Sequence, residues 1–219
     1  MAVTTTTTTA VMNINLPCFK IIVVGDYGVG KTSLVRRCVD ESYCVQIGAP
    51  AINLRKDSLE TSVLLDDGFE IDVSMWDTAG EERHGHIASS YYRNAHAVLF
   101  VYDTESSSSL ESVVRWMQIV DKDYSDIPVR FLVGTKSEMD FSERTDAASS
   151  AVAEMWLVDA HIRCSVVNGQ GVRDVMRTLG EKLRLKAVEK ALADAERRRN
   201  DPIQSAASMA RMTRMTCQC

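Results

Sequence analysis

The sequence lacks any apolar stretch long enough to span a bilayer, and its first residues lack the features of a secretion signal. Residues 1–10 are mostly threonine, with neither the basic start nor the apolar centre of a signal peptide. Myristoylation requires glycine directly after the initiator methionine, and Ala2 stands there instead. We therefore expect residues 1–16 to be a disordered, Thr-rich tail.

Cysteine spacing and charge exclude further classes of protein. The six cysteines show no disulfide framework and no zinc-type pairing apart from the terminal C-x-C, so reduced thiols in the cytosol are the simpler interpretation. The net charge is −5, with acids and bases mixed along the chain, which argues against a nucleic-acid-binding protein. A chain of 219 residues suffices for one domain with tails and a sizeable core.

A glycine-rich motif is the strongest positive signal. Gly25–Ser33 reads GDYGVGKTS and fits the phosphate-loop pattern G-x-x-x-x-G-K-[ST]. It follows the apolar run Phe19–Val24, predicted to be a buried parallel strand, and precedes a helix-compatible stretch, Leu34–Val39. In such a loop the backbone amides surround the phosphates, and Lys31 supplies a positive charge to the outer phosphates. The Thr32 hydroxyl is positioned to ligate Mg²⁺. The alternative is an ordinary Gly-rich turn before a helix. The predicted phosphate-binding residues are Asp26, Tyr27, Gly28, Val29, Gly30, Lys31, Thr32 and Ser33.

The rest of the chain alternates predicted strands and helices, which indicates an α/β fold with a mostly parallel sheet. Asp66-Asp67-Gly68 predicts a hairpin between Val63–Leu65 and Ile71–Trp76, after a helix and loop over Lys31–Glu60. The later predicted strands are Ala97–Tyr102, Val129–Gly134 and Ile162–Ser165. The later predicted helices follow Ser106–Ser109 (with Leu110, Val113, Val114 and Met117 on one face), cover Ala147–Trp156, and run from Val172 to as far as Arg199. Ligands of such sheets bind beyond the carboxyl ends of the strands, where the candidate motifs begin.

Six motifs together resemble the Rab family of small GTPases over Pro17–Leu185 and at the terminus. They are GDYGVGKT, WDTAGEE (Trp76–Glu82), YYRNA (Tyr91–Ala95), FVYDTE (Phe100–Glu105), VGTKSE (Val133–Glu138) and the terminal C-x-C. The resemblance implies a P-loop NTPase small G domain over residues 17–199, with a mostly parallel six-stranded sheet and helices on both faces. Residues 200–219 would form a flexible tail. The implied protein binds GTP or GDP with Mg²⁺ and acts as a membrane-anchored switch in vesicle traffic.

The resemblance also implies roles for residues outside the phosphate loop. Asp77 would hold Mg²⁺ through a water molecule and the Gly80 amide would bind the γ-phosphate, although Asp-Thr often merely starts a turn. The guanine site would comprise Thr135, Lys136 and Glu138, where family members usually carry Asn-Lys-x-Asp. The alternative for that stretch is a solvated loop at a strand end.

Ser165 and Val166 would complete the guanine site, because they occupy the place of the family's Ser-Ala-Lys motif. The useful group there is the Val166 backbone NH, aimed at the guanine carbonyl.

Three departures from the family lie on the γ-phosphate side, so the enzymatic activity, nominally GTP to GDP plus phosphate, is in question. Tyr27 replaces a small residue, and Gln46 stands where the first switch normally presents threonine; no threonine occurs between Thr32 and Thr61. Glu81 replaces the glutamine that orients the attacking water, and its charge is repelled by the γ-phosphate. The alternative is that Glu81 is a solvated residue without a chemical role. We expect guanine-nucleotide binding with slow or unconventional hydrolysis.

The terminal Cys217-Gln218-Cys219 looks like the geranylgeranylation motif of Rab proteins, and two lipid chains anchor stably where one does not. The alternative is a flexible tail with two unmodified thiols. By resemblance the protein would cycle between the cytosol and the cytoplasmic face of an intracellular membrane. Its implied partners are an exchange factor, an activating protein, an escort and prenyl transferase, a dissociation inhibitor and effectors. Two other functions stay open. One is a hydrolysis-deficient scaffold, either with guanine nucleotide permanently bound or with none, and the other is a P-loop phosphotransferase for another nucleotide.

Overall fold

The computed structural model describes residues 16–43, 58–78, 87–138 and 143–200. Residues 17–183 form one compact unit, and the described residues 184–200 belong to a second. The elements in chain order are β1 (Phe19–Val24), α1 (Lys31–Val39), β2 (Ser58–Leu64), β3 (Glu70–Asp77), α2 (Ser89–Tyr92), β4 (Ala97–Asp103), α3 (Ser107–Asp123), β5 (Val129–Thr135), α4 (Glu143–Met155), β6 (Ala160–Arg163) and α5 (Val172–Asn200).

The six strands form one sheet in the order β2-β3-β1-β4-β5-β6. The β2–β3 hairpin is antiparallel, and the other four pairings are parallel. The carboxyl ends of β1, β3, β4, β5 and β6 therefore lie at the same edge of the sheet. This topology confirms the predicted α/β fold.

Helices cover both faces of the sheet, because alternate strand residues point in opposite directions. On one face Ile22, Val98 and Phe100 belong to a buried cluster that includes Val113 and Met117 of α3. The opposite face carries Val63, Ile71, Met75 and Ile21, which are linked by the strand register. There α5 lies so close that a Cβ on Gly180 would come 3.3 Å from Val63 Cγ1.

Helix α3 starts as its serine cluster predicts, with Ser106 as the N-cap whose hydroxyl accepts a hydrogen bond from the Ser109 amide. The predicted apolar face is only partly right. Val114 is half-buried, whereas Trp116 and Val120 join the core. The helical period explains this shift, since positions 113, 116, 117 and 120 share one face.

Several predicted boundaries differ from the structure. Strand β2 begins at Ser58 instead of Val63, and helix α4 starts at Glu143 and ends at Met155. The last strand ends at Arg163, not at Ser165, because the Ser165 amide donates to Gln170 O at 2.9 Å in the turn that follows. Among the described helices, none is long and apolar enough to cross a membrane.

Candidate nucleotide-binding site

The loop between β1 and α1 is shaped by glycine. A Cβ on Gly25 would lie 2.2 Å from the carbonyl oxygen of Val101 on β4, so only glycine fits at this crossing. Gly30 has a φ of 94°, in the left-handed region, and its carbonyl accepts from the Leu34 amide at 2.8 Å as α1 begins. The loop therefore passes tightly over the sheet edge and leads directly into a helix N-terminus, the arrangement that binds phosphate groups.

Lys31 lies inside this loop, with 3% of its surface exposed. Its Nζ donates to the carbonyl oxygens of Gly25 and Asp26, each at 2.8 Å. The loop therefore holds a cation that is largely removed from water, and a bound phosphate would complement its charge.

Thr32 and Asp77 bring two hard oxygen donors together. The Thr32 hydroxyl donates to Asp77 Oδ2 at 2.5 Å, joining the start of α1 to the end of β3. The next residue, Thr78, is buried, and its hydroxyl donates to Val23 O at 2.7 Å, which fixes the chain beyond β3 against β1. Hydroxyl and carboxylate oxygens are ligands that Mg²⁺ accepts, so these residues fit the predicted metal site.

The other predicted loop residues differ in exposure. Tyr27 is 67% exposed and Gly28 is exposed, so this part of the loop faces solvent. Val29 is buried, and Ser33 in the first turn of α1 is half-buried.

The predicted guanine residues continue from the end of β5. Thr135 is fully buried, and its hydroxyl lies 2.6 Å from Val29 O and 3.0 Å from Tyr102 O. A hydroxyl has one proton, so it donates to one carbonyl at a time. Thr135 thus ties β5 to the phosphate loop.

Lys136 adopts a left-handed conformation, with φ of 60°. Its Nζ forms an ion pair with Asp103 Oδ2 at 2.6 Å. The pair joins the ends of β4 and β5, and it holds the lysine stem on the ligand side of the sheet, as the carboxyl-end rule for such sheets requires.

Glu138 is exposed, and its charge acts on Cys164, the residue that follows β6. Burial raises the pKa of the Cys164 thiol to about 12, and the negative charge of Glu138 adds to that rise. Cys164 also bridges the two loops, because its amide donates to Gly134 O at 2.7 Å and its carbonyl accepts from the Ser137 amide at 3.3 Å.

Ser165 and Val166 follow directly, and both are buried. The Ser165 hydroxyl accepts from the Asn168 amide at 3.2 Å, and its carbonyl accepts from the Gly169 amide at 2.9 Å. The structure therefore brings the two predicted guanine segments side by side. Four predicted site residues and one switch candidate lie outside the described residues, namely Gly80, Glu81, Cys217, Cys219 and Gln46.

Sequence reasoning missed several residues that shape the site. Trp116 Nε1 on α3 donates to Asp26 Oδ1 at 3.1 Å. Asp103 and Thr78 make the contacts given above. An indole on a buried helix face signals that its N–H needs a partner, but nothing local identifies a partner 90 residues away.

Most of this chain matches the model of a known family. The model of the Ras family matches residues 20–185, which include the phosphate loop, Asp77 and both predicted guanine segments.

Proposed function

The chain belongs to the Ras family, and from that premise we propose that it is a Rab-like guanine-nucleotide switch that works on an intracellular membrane. The observation that carries the proposal is the group formed by Lys31, Thr32 and Asp77 at the carboxyl edge of the sheet. A buried cation beside a paired hydroxyl and carboxylate is suited to a phosphate chain with Mg²⁺. Proteins of this family bind these two ligands in general.

Five side chains described above have distinct parts in the proposed site. Lys31 binds the outer phosphates by replacing its contacts with the carbonyls of Gly25 and Asp26. Thr32 and Asp77 would hold Mg²⁺, which when bound neutralises charge on the β- and γ-phosphates. Lys136 covers the base with its methylene stem, and Glu138 accepts hydrogen bonds from guanine.

Hydrolysis is proposed to be slow, because residues on the γ-phosphate side depart from the family pattern. Tyr27 places a phenol on the exposed part of the loop, and Glu81 and Gln46 replace the usual glutamine and threonine. A carboxylate at position 81 accepts a hydrogen bond from water but does not donate one to phosphate. These three residues also favour the second candidate function, a scaffold that binds guanine nucleotide and recruits partners without hydrolysing GTP.

The Rab-level assignment rests on sequence motifs. The blocks YYRNA and FVYDTE, together with the C-x-C motif, are typical of Rab proteins rather than of Ras-related proteins in general. They support prenylation of Cys217 and Cys219, a role in vesicle traffic, and the regulators named above as partners. The proposed location is the cytoplasmic face of an intracellular membrane.

The decisive experiment starts with nucleotide extraction from the purified full chain, followed by titration with GTP, GDP and ATP, with and without Mg²⁺. We expect tight, Mg²⁺-dependent binding of guanine nucleotides and weak binding of ATP. Tighter ATP than GTP binding would instead indicate a phosphotransferase, and no binding at all would indicate an empty scaffold.

Single-turnover GTP hydrolysis then separates a slow switch from an ordinary one. Glu81→Gln should accelerate hydrolysis by roughly tenfold or more if position 81 orients the water. Hydrolysis by the unmodified chain as fast as that of an ordinary Rab protein, without a partner, would contradict the proposal of impaired turnover.

A further inference from the structure

We propose that Trp116 is a positioning residue that holds the Asp26 carboxylate away from bound phosphate. This inference rests on the proposed nucleotide function and names a residue of α3 that neither motif nor family match assigns. It concerns the contact between the Trp116 indole and the phosphate loop.

The donor in this contact is held rigidly. Trp116 is buried on α3 and belongs to the same cluster as Val24, Phe100 and Val113. Its Nε1 donates to Asp26 Oδ1 at 3.1 Å, although the two residues are 90 positions apart. Because the ring is packed in the core, its N–H fixes where the carboxylate of a glycine-rich loop points.

The contact matters because Asp26 carries negative charge inside a loop that must bind negative charge. The Asp26 carbonyl accepts from Lys31 Nζ at 2.8 Å, so this one residue contacts both the phosphate-binding cation and α3. Trp116 draws the carboxylate towards α3. Without the indole N–H, the half-buried carboxylate would lose its partner and become free to neutralise Lys31 or to repel the phosphates.

Trp156 provides a matched control within the same chain. It is half-buried and packs against the same cluster, and its Nε1 is buried with no hydrogen-bond partner among the described residues. Trp156→Phe therefore removes an indole N–H that donates to no protein group. Comparison with Trp116→Phe isolates the bond to Asp26 from the loss of ring volume.

The first test measures affinity of the full chain for a fluorescent GDP analogue with Mg²⁺. Trp116→Phe should weaken binding by about tenfold, the size expected for a hydrogen bond to a charged group, and Trp156→Phe by less than about twofold. Asp26→Asn keeps the acceptor and removes the charge. In that background Trp116→Phe should therefore cost less than about threefold. If Trp116→Phe weakens binding equally in the unmodified chain and in the Asp26→Asn variant, Trp116 acts only by packing. That result would overturn the proposal.

The second test is the indole N–H signal of the three tryptophans in ¹H–¹⁵N NMR spectra, which needs no change at Trp116 itself. Asp26→Asn should shift the Trp116 signal and leave the Trp156 signal in place. An unmoved Trp116 signal would overturn the hydrogen bond. If the unmodified chain binds no guanine nucleotide, the proposed function fails and the positioning role fails with it, whereas binding with equal losses overturns the positioning role alone.

Discussion

At the scale of single residues, Thr32 and Asp77 form the contact on which the proposed metal site depends. They lie 45 positions apart, yet the hydroxyl and the carboxylate oxygen are separated by 2.5 Å. The phosphate-loop motif specifies the threonine, and the end of β3 delivers the aspartate. Since each oxygen is a hard donor, the pair should bind Mg²⁺ jointly.

Removing the Thr32 hydroxyl should therefore abolish most of the benefit of Mg²⁺. Thr32→Ala is expected to reduce the gain in GDP affinity upon Mg²⁺ addition by roughly tenfold or more, because it removes an oxygen donor of the proposed site, and loss of even an outer-shell contact costs that much. Thr32→Ser keeps the hydroxyl and is the matched control. Titration of both variants in Mg²⁺ and in EDTA measures the effect, and an unchanged response of Thr32→Ala to Mg²⁺ would contradict the assignment.

The sequence signal that identifies these loop residues as candidates is local. Gly25, Gly30, Lys31 and Thr32 all lie within one short segment of the chain. The helix that follows is part of the same pattern. Trp116 and Thr78 carry no such signal, because their partners lie 90 and 55 positions away. Only the packed sheet brings those partners together.

Thr135 shows which details an assignment by resemblance leaves to the structure. Its position in VGTKSE implies a place in the guanine site, and the structure locates it at the end of β5 beside the phosphate loop. The hydroxyl, however, contacts the backbone at Val29 and Tyr102. Which atoms a buried hydroxyl meets depends on the neighbouring strand and loop, and a single sequence does not encode that as a pattern.

At the scale of elements, the turn after β1 passes so close to β4 that its first position has no room for a side chain. Gly25→Ala would place a Cβ 2.2 Å from Val101 O, which is backbone and has little freedom to move. We expect a loss of about 2–4 kcal/mol in unfolding free energy. Gly28→Ala in the same loop is the control, because its Cβ would meet nothing within 4 Å and the φ of 81° costs about 1 kcal/mol. Urea unfolding distinguishes the two, and equal losses would contradict the steric argument.

Strands β4 and β6 are joined by a titratable contact. The Tyr102 hydroxyl lies 2.9 Å from His161 Nε2, and burial raises the pKa of Tyr102, so the hydroxyl stays protonated and can donate to a neutral imidazole. Burial lowers the pKa of His161, and the charge of Arg163 lowers it further, while Asp146 opposes this shift. The folded state therefore disfavours protonated His161.

This contact predicts how stability changes with pH. Because the pKa of His161 is lower in the folded than in the unfolded chain, the unfolded chain binds more protons, and stability falls as pH drops below the unfolded value of about 6.5. Thermal unfolding between pH 7.5 and pH 5 should show a shallower decline for His161→Gln than for the unmodified chain. Parallel declines would assign the pH dependence to other groups.

Element types were predictable from the sequence, and element ends were less so. The runs Phe19–Val24 and Ala97–Tyr102 are continuously apolar, as expected for central strands buried on both faces, and both were confirmed. Strand β2 is an edge strand with mixed polarity, and Leu59 is the single apolar side chain among Ser58–Ser62, so no alternating apolar pattern marks its start. Its extent is set by pairing with β3 up to Trp76, which is a long-range property.

At the scale of the whole molecule, the proposed function requires two separate abilities. Nucleotide binding is assigned to residues within the compact unit 17–183, and membrane anchoring is assigned to Cys217 and Cys219. These assignments are independent. A change at the terminal cysteines should leave the affinity for nucleotide untouched, while a change in the phosphate loop should leave lipid attachment to the terminus chemically possible.

Replacing both terminal cysteines tests this separation. Cys217→Ser with Cys219→Ser should move most of the protein from membranes to the cytosol in fractionated cells, because two lipid chains supply stable anchoring and none remains. GDP affinity should change by less than about twofold. Cys18→Ser is the control, since Cys18 is an exposed cysteine that lies before β1, outside the C-x-C motif. Membrane association of the double variant equal to that of Cys18→Ser would show that the terminal thiols are not the anchor.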